Sequence, residues 1–577
     1  MPSTTAVEGL SVLHAEKPEA SDLNLIKLAA FMGVPARGAR MAEFGNAAGA
    51  GECVAVSARA LCQCPEILRG GVPKQLFVYG FEPGSSHAQW ASALSGGALE
   101  SVQSCQKPDA QYAVSADARA FCGELSGLVF GPVNREDDVV FDRAAGAGRV
   151  SEYVQIGGRP SVAGVHNGSA FTLLAGSRHI VDIDESFEQG ARLLDYFSRL
   201  APALWFLRHA FGDRCWHGTH KEACFIVDDP LLRKRHGFLR YTALLEAMKQ
   251  RAFSMSVAFI PWNCDRSDRQ TVELFHRNSS RLTLSVHGCD HTRHEFGGED
   301  GSSLLAKASV AQGRMARHQK LTGLPCDNVM VFPQGVFSSA GMAALKDAGY
   351  LAAVNSTPFS AENPPKALRV RDLMEPAVLS YGGFPLFIRH YPDGAAEFAL
   401  DLLLGKPALI VQHHDYFKNG YKDLQAFIGQ VNQVSPNLQW RGLEAIIRRA
   451  CRWRQNADGS AGVRFYGHQA AIENESAERR RFVLSKAWNP NAALPSVTLN
   501  GKEAEPERTE DGFCVHVELA PGQALEISVS APAVPSGAGL RFGTFSYRVK
   551  VFARRHLCEI RDNYVSPLRA FLRKTAS

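Results

Sequence analysis

Two histidines in the stretch LSVHGCDH, residues 284–291, have the side-chain type and the spacing of metal ligands. His287 and His291 are four residues apart and follow an apolar run that is typical of a β-strand. If the chain turns helically after that strand, both imidazoles point to one side and can bind the same cation. Paired histidines also occur in surface loops and in packing, so support is needed from elsewhere in the sequence.

An acidic pair supplies that support. Asp228 and Asp229 directly follow the apolar run CFIV. Adjacent acids often cap helices or face solvent, but two unpaired carboxylates beside a core would be costly. A cation removes that cost for one of them, and the other can stay ionised as a general base. Two histidines and one carboxylate leave positions open for water, so we predict one catalytic divalent cation: Zn, or alternatively Fe, Co or Ni.

Two further apolar runs end in polar or turn-forming residues. VMVF is followed by Pro333-Gln334-Gly335, and LIVQ is followed by His413-His414-Asp415. The carboxyl ends of parallel strands share one face of a barrel, where the connecting loops form the active site. We therefore expect all four groups of residues to meet at one site.

The elements that would position these residues alternate regularly between about residues 215 and 455. Seven apolar runs of β type are separated, in most cases, by helical patterns: ACFIV, SMSVAFI, LTLSV, VMVF, LAAV, LFIRH and ALIVQ. Strand–helix alternation predicts parallel strands with crossover helices, and seven strands fit a closed or nearly closed barrel. The predicted fold class is α/β. A (β/α)7 barrel at 213–457 follows an accessory α/β domain of unknown role at 1–212. A small β-sandwich at 458–537 and a basic amphipathic tail at 538–577 complete the chain.

Length and composition are those of a multidomain globular protein. The chain has 577 residues, and at roughly 100–200 residues per domain we expect three to five domains. Thirteen irregularly spaced cysteines do not resemble a disulfide framework, and no secretory leader pattern is evident at the N-terminus. We therefore expect a cytoplasmic protein with reduced thiols. The sequence gives no indication of its oligomeric state.

Positive charge is concentrated at the C-terminus. The net charge is +5, but residues 541–577 hold nine Lys/Arg and two Asp/Glu, so the tail alone is +7. The remainder is slightly negative, which argues against a nucleic-acid partner. After Pro567, the segment LRAFLRK places Leu568, Phe571 and Leu572 on one helical face. This pattern predicts peripheral binding to an anionic membrane surface. A solvated terminus, or a strip packed on the barrel, is the alternative.

Residues 225–450 resemble the polysaccharide deacetylase superfamily, the NodB-type carbohydrate esterases. IVDDP resembles the family's apolar-Asp-Asp-Gly motif, HGCDH its His-Ser/Thr-x-x-His motif, VFPQGVFS its Arg-x-Pro-Tyr-Gly motif and LIVQHHD its apolar-x-His motif. The resemblance implies a distorted seven-stranded barrel. It also implies a metal-dependent hydrolase that removes an acetyl group from an N-acetylated sugar of a polysaccharide or glycolipid.

The resemblance also implies roles for individual residues. Asp228 corresponds to the family's base, Asp229, His287 and His291 to its metal ligands, and either His413 or His414 to its catalytic acid. A backbone N–H near Gln334 would help to stabilise the tetrahedral oxyanion. The predicted substrate-binding residues lie at or near strand ends: Pro333, Gln334, Gly335, Arg389, Trp262 and Tyr416. The two aromatic rings could stack on a sugar or simply pack at the barrel rim.

The chain departs from the family pattern at several positions. Pro230 replaces the Gly after the acidic pair, Gly288 replaces the Ser/Thr, and Val331 stands where the family has an Arg that orients the base. Arg389 could supply that guanidinium from another strand, or it could be a surface residue. Two alternatives to the deacetylase therefore stay open. One is a decayed barrel that binds or assembles carbohydrate without catalysis. The other is a glycoside hydrolase that uses Asp228 as one of two carboxylates.

Overall fold

The computed structural model describes residues 9–44, 53–68, 71–107, 109–145, 150–529 and 541–576. It divides into two compact units. The first comprises residues 1–217, 369–371 and 453–459, and the second comprises residues 218–368, 372–452 and 460–577.

The first unit contains a nine-stranded mixed sheet. Its strand order is β2-β1-β3-β4-β11-β10-β9-β6-β7, parallel from β2 to β11 and antiparallel beyond. The strands are β1 Leu10–His14, β2 Ala36–Arg40, β3 Cys53–Ser57, β4 Gln75–Tyr79, β5 Leu99–Ser104, β6 Tyr112–Val114, β7 Val129–Phe130, β8 Val139–Arg143, β9 Ser151–Ile156, β10 Arg159–Asn167 and β11 Ala170–Ala175. The helices are α1 Ala20–Phe31, α2 Met41–Phe44, α3 Ala58–Gln63, α4 Ser85–Leu94, α5 Arg119–Cys122 and α6 Phe197–Phe211.

The second unit is organised around a curled parallel sheet. Its strand order is β19-β18-β17-β16-β15-β12-β20, and β21 pairs with β12. The strands, with a small hairpin formed by β13 and β14, are β12 Glu222–Asp228, β13 Arg235–His236, β14 Leu239–Arg240, β15 Met255–Phe259, β16 Leu282–His287, β17 Asp327–Val331, β18 Ala352–Asn355, β19 Leu386–Ile388, β20 Ala408–Gln412 and β21 Gln439–Trp440. All seven predicted strands of the middle region are therefore present, and they are neighbours in one parallel sheet.

Helices connect most of these strands. They are α7 Tyr241–Gln250, α8 Arg269–Arg277, α9 Gly301–Thr322, α10 Ser339–Asp347, α11 Val370–Met374, α12 Ala396–Leu404, α13 Lys422–Val434 and α14 Leu443–Arg449. Local signals set some of their boundaries. Asp268 caps the start of α8, and Asp300 caps α9 by accepting the N–H groups of Ser302 and Ser303. Side chains of alternate residues in β12, Cys224 and Ile226, pack into a hydrophobic core with α14. Burial on both faces explains why the strands are continuous apolar runs.

The two ends of the parallel sheet also approach each other. His390, two residues after β19, donates its N–H to Leu409 of β20 and accepts the N–H of Val411, at 2.9 and 3.0 Å. The sheet is therefore curled into at least part of a barrel. This curvature brings the carboxyl ends of distant strands toward a common centre.

Short strands follow in the C-terminal part of the chain. They are β22 Cys451–Gln455, β23 Ala461–Phe465, β24 Gln469–Glu473, β25 Arg480–Ala487, β26 Val497–Leu499, β27 Lys502–Ala504, β28 Glu507–Thr509, β29 Gly512–Leu519 and β30 Ala524–Val529. One sheet contains the run β23-β25-β29-β28, and another has the order β24-β30-β26-β27. The chain ends in α15 Phe545–Ile560, a π-helical turn at Arg561–Val565, and α16 Ser566–Ala576. No described helix has both the length and the apolar character needed to cross a membrane.

Candidate active site

The carboxyl ends of five parallel strands carry the candidate residues. Asp228 is the last residue of β12 and His287 the last of β16. Pro333, Arg389 and His413 follow β17, β19 and β20 by one or two residues. Because these strands run in the same direction in one curled sheet, their polar termini lie at the same end of it.

Asp229, His287 and His291 form a compact group that we name the first cluster. One carboxylate oxygen and one ring nitrogen from each histidine lie within 4.8 Å of one another. The Oδ1 atom of Asp229 is 3.0 Å from Nε2 of His291 and 3.5 Å from Nε2 of His287. Two ligands bound at about 2 Å in a tetrahedral arrangement are themselves about 3.3 Å apart. The three side chains therefore have the separations that a shared cation requires.

The donor set of the first cluster also suits a cation. Nδ1 of His287 lies 2.9 Å from the carbonyl oxygen of Val331, which fixes the ring with Nε2 toward Asp229. The buried Oδ1 of Asp229 has no hydrogen-bond partner among the described residues. Burial would raise the pKa of Asp229, but His291 and His287 hold it well below its ordinary value. The carboxylate is thus ionised, as a metal ligand must be.

The backbone at the first cluster is strained. Asp229 and His291 both have left-handed φ values, 77° and 56°, which residues other than glycine seldom adopt. Glu295 holds the second of these in place, because its carboxylate accepts the backbone N–H groups of Cys289, Asp290 and His291 at 2.8–3.1 Å. This buried carboxylate therefore shapes the turn between the two histidines.

The surroundings of Gly288 explain why this chain has glycine at that position. Its φ is +63°, and a Cβ atom there would lie 2.3 Å from Oε2 of Glu295 and 2.5 Å from Cγ of Pro333. A serine or threonine would clash with both neighbours. In this chain, the Glu295 carboxylate occupies the space that a side chain at position 288 would need.

Asp228 is held by a guanidinium from a different strand. Arg389 donates to both carboxylate oxygens, at 2.7 and 2.6 Å, and both side chains are buried. Burial would raise the pKa of Asp228, but Arg389 and, to a smaller extent, His287 hold it below its ordinary value. The structure thus places Arg389 on Asp228. Val331, at the family's arginine position, has a buried apolar side chain.

The two adjacent histidines point to different places. Nε2 of His413 lies 3.9 Å from Oδ2 of Asp228, and 42% of the His413 side chain is exposed. His414 is buried and instead faces His236 and Asp562, which form with it the second cluster. His413 therefore has both the access and the position to exchange a proton with a bound molecule next to Asp228.

The C-terminal helices lie over this end of the sheet. The Tyr547 hydroxyl donates to Asp290, while Glu559 binds Arg233 at 2.8 Å and Arg266 at 2.6 Å. A cavity of about 120 Å³ lies between the C-terminal segment and the strand ends. Its lining includes Asp229, His236, Asn263, His291, Gln334, Arg554, Arg555, Arg561 and Asp562. The tail thus forms one wall of the candidate site.

The structure separates the other candidate substrate-binding residues. Gln334, which has a φ of +60°, lines the cavity, and Pro333 and Gly335 are its neighbours in the sequence. Trp262 packs against Phe552 and His556 of α15, and Tyr416 packs against Phe225 and Phe417. These contacts favour the packing alternative for both aromatic rings.

Three residues of the site were not predicted from the sequence: His236, Glu295 and Asp562. Each lies in a charged stretch without an apolar run directly before it. Glu295, four residues after His291, could have been identified from proximity alone. The other two meet only through folding, because they are separated by more than half of the chain.

No protein-family model matches this chain, and no curated protein sequence does. Among solved structures, the chain is similar to Agd3, a carbohydrate deacetylase, with 9% identity and a TM-score of 0.43 over 91% of this chain and 99% of that one. It is also similar to the chitin deacetylase of Colletotrichum lindemuthianum, with 12% identity and a TM-score of 0.25 over 39% and 87%. For a family 4 carbohydrate esterase of Streptomyces lividans, the identity is 11% and the TM-score 0.24, over 38% and 91%. The identities and the TM-scores are low, so the geometry of the site, and not these similarities, is the basis for a function.

Proposed function

We propose that this chain is a metal-dependent hydrolase that removes an acyl group, most simply acetyl, from an N-acetylated sugar of a polysaccharide or glycolipid. The proposal places the site in a distorted (β/α)7 barrel, with Asp229, His287 and His291 holding a cation of the Zn class. One observation carries it. A buried carboxylate held ionised by Arg389 lies beside an accessible imidazole, and both adjoin a set of two histidines and one aspartate.

The chemistry is the hydrolysis of an amide. A cation in the first cluster would polarise the acyl carbonyl and lower the pKa of water. Asp228 then takes the proton from the attacking water, and Arg389 keeps that carboxylate oriented. His413 gives a proton to the nitrogen as the C–N bond breaks, which releases the carboxylic acid and the free amine. A backbone N–H at Gln334, on the cavity wall, would stabilise the oxyanion.

The position of Arg389 favours an active enzyme over a decayed barrel. An unpaired buried carboxylate would be costly, whereas the bidentate guanidinium stabilises the ionised form that a general base needs. A barrel that only bound carbohydrate would gain nothing from an ionised aspartate next to an open histidine. We therefore assign Arg389 to positioning the base and not to binding substrate.

The test is acetate release from a panel of N-acetylated glycans and glycolipids by protein of known metal content. We expect one acetate for each free amine produced. The Asp228→Asn variant should retain metal and release little acetate. Metal-loaded protein that releases no acetate from any member of the panel would contradict the proposal.

We also propose that the C-terminal helices bind an anionic membrane surface, which would place a cytoplasmic enzyme next to a lipid-linked substrate. Large apolar side chains project outward at intervals of three to five residues: Phe545, Val549, Phe552, Leu557, Ile560, Tyr564, Leu568 and Leu572. The inner face buries Val551, Arg555 and Asp562. The side chain of Phe571, part of the predicted apolar face, lies outside the described residues.

Basic side chains are exposed on the same segment, among them Lys550 and Arg569, whereas Arg554 and Arg555 line the cavity. Each basic residue near an anionic surface adds roughly 1 kcal/mol to binding. The double variant Leu557→Glu with Ile560→Glu should lose co-sedimentation with anionic vesicles at low salt, and the wild-type protein should keep it. Truncation is a poorer test, because the tail also lines the cavity. If wild type and variant co-sediment with vesicles alike, the membrane proposal is wrong. It is also wrong if wild type forms a dimer without lipid and the double variant dissociates that dimer.

A further inference from the structure

The second cluster is a buried set of two imidazoles and one carboxylate. His236 comes from the β13–β14 hairpin, His414 follows β20, and Asp562 belongs to the π-helical turn of the C-terminal segment. All three residues are buried, and one ligand atom from each lies within 4.8 Å of the others. Three elements that are far apart in sequence thus deliver a nitrogen–nitrogen–oxygen donor set to one point.

The imidazoles of the second cluster have ring nitrogens without partners, whereas Oδ1 of Asp562 accepts a hydrogen bond from Nε of Arg561 at 2.7 Å. Both ring nitrogens of His236, and Nδ1 of His414, are buried with no hydrogen-bond partner among the described residues. His236 is only 3% exposed. Leaving a buried polar atom unsatisfied costs about 1–3 kcal/mol, so such atoms are rare unless something binds them. A cation would satisfy one ring nitrogen of His236, and His414 would bind it through Nε2, the nitrogen nearest Asp562.

The spacing fits a shared ligand better than a direct hydrogen bond. Nε2 of His414 lies 3.6 Å from Oδ1 of Asp562, which is beyond hydrogen-bond length but close to the separation of two ligands on one Zn²⁺. Gly237 makes the close approach possible. Its φ is +56°, and a Cβ atom there would lie 2.2 Å from Nδ1 of His414. The hairpin therefore packs tightly enough to bring His236 beside His414.

The turn that carries Asp562 is held to the same hairpin. Asn563 accepts the N–H of Gly237 on its side-chain oxygen at 2.8 Å, and its carbonyl accepts from Arg235 at 2.8 Å. The turn is π-helical, a rare geometry that is frequent at functional sites. A ligand shared by the three residues would join the C-terminal segment to the loops at the strand ends.

We propose that His236, His414 and Asp562 bind a second divalent cation of the Zn class, which fastens the C-terminal segment over the candidate active site. Two imidazoles and one carboxylate favour Zn²⁺, Co²⁺ or Ni²⁺ over Mg²⁺ or Ca²⁺. Its three ligands are distinct from those of the first cluster, although residues of both sets line one cavity, and the site does not depend on the proposed hydrolysis. Its function is to hold the wall of the cavity that carries Arg555 and Asp562.

The test is metal stoichiometry in full-length protein stripped by a chelator and reloaded with Zn²⁺. Wild type should bind two equivalents, and His236→Ala and His291→Ala should each bind one. His516→Ala is the matched control. It alters an exposed group of Glu507, Cys514 and His516 and should leave two equivalents. The proposal would be overturned if wild type binds only one equivalent of Zn²⁺ and only His291→Ala loses it. A His236→Ala variant that keeps two would also overturn it.

A second measurement keeps the proposal testable if His236→Ala folds poorly. Asp562→Asn, which preserves size, should also lose one equivalent of Zn²⁺. In hydrogen exchange, Zn²⁺ should slow exchange across Phe545–Val565 in wild type but not in Asp562→Asn. Equal protection in the two proteins would contradict the fastening role. An enzyme that binds two equivalents but releases no acetate would instead overturn only the proposed hydrolysis.

Discussion

The two clusters at the strand ends contain the same residue types but are built in different ways. In the first, Asp229, His287 and His291 come from the carboxyl ends of β12 and β16, which β15 separates in the sheet, and the site adjoins a cavity. In the second, the carboxylate of Asp562 arrives on the C-terminal segment, and all three side chains are buried. Both clusters contribute residues to the lining of that cavity, but Asp229 and His291 of the first are partly exposed, whereas all three residues of the second are buried.

The surroundings of the two clusters explain this difference. The first has the proposed base and the proposed acid beside it, Asp228 and His413, and the carbonyl of Val331 orients His287. The second has unsatisfied ring nitrogens, with an aromatic ring, that of Phe238, stacked against His414. Identical donor sets can therefore support catalysis or cohesion. The neighbouring titratable groups and the access to solvent determine which.

Replacement of the proposed base beside the first cluster should have the largest effect on the rate. Asp228→Asn should lower the rate of acetate release by about 10²–10⁴-fold, because the amide cannot accept the water proton. Asp415→Asn, an exposed residue nearby, is the matched control and should retain activity. Turnover near that of the wild type in Asp228→Asn would show that another group is the base.

The adjacent histidines give the most direct contrast between the clusters. His413→Asn should lower turnover by about 100-fold or more, because the amine would leave unprotonated. His414→Asn should keep most of the turnover and lose one equivalent of Zn²⁺. If the rate losses are reversed, the assignment of the acid to His413 is wrong.

A glycine in the first cluster should be sensitive to the smallest substitution. Gly288→Ala adds a methyl group against Glu295 and Pro333 at a left-handed φ, so we expect a loss of about 2 kcal/mol in the free energy of unfolding. Weaker metal binding at the first cluster should accompany it. Chemical denaturation with and without Zn²⁺ would measure both. Unchanged stability would mean that the turn can open at little cost.

Substitution of the corresponding glycine beside the second cluster should lower the free energy of unfolding by less. Gly237→Ala places its methyl group against one side chain, the ring of His414, whereas Gly288→Ala meets two, so we expect a loss of about 1 kcal/mol. The displaced ring should release the second equivalent of Zn²⁺ and leave the first in place. Retention of both equivalents would contradict the geometry proposed for the second cluster.

The sequence predicted the parallel sheet well, because its strands are buried on both faces and read as continuous apolar runs between helical patterns. Residues next to those runs, such as Asp228 and His287, could be placed at one site by the direction of parallel strands alone. From the sequence, Arg389 is only a possible partner of Asp228, because nothing in the sequence states that the carboxyl end of β19 lies close to that of β12.

The second cluster could not be predicted for a physical reason. His236 and Asp562 are 326 residues apart, and neither directly follows an apolar run that would predict its position at the end of a strand. The amphipathic pattern of the tail did indicate a surface helix. It did not show that the polar face would meet the sheet and the apolar face would point outward. Only the packing of Glu559 and Asn563 on the loops determines that orientation.

The central claim is that the first cluster and its base–acid pair hydrolyse an N-acyl amide on a sugar. The most direct measurement is acetate release from N-acetylated glycans by Zn²⁺-loaded wild type and by Asp228→Asn with the same metal content. We predict acetate and free amine in equal amounts from the wild type, with release by the variant about 10²–10⁴-fold slower. Equal release by the two proteins, or none from either at full metal loading, would contradict the account.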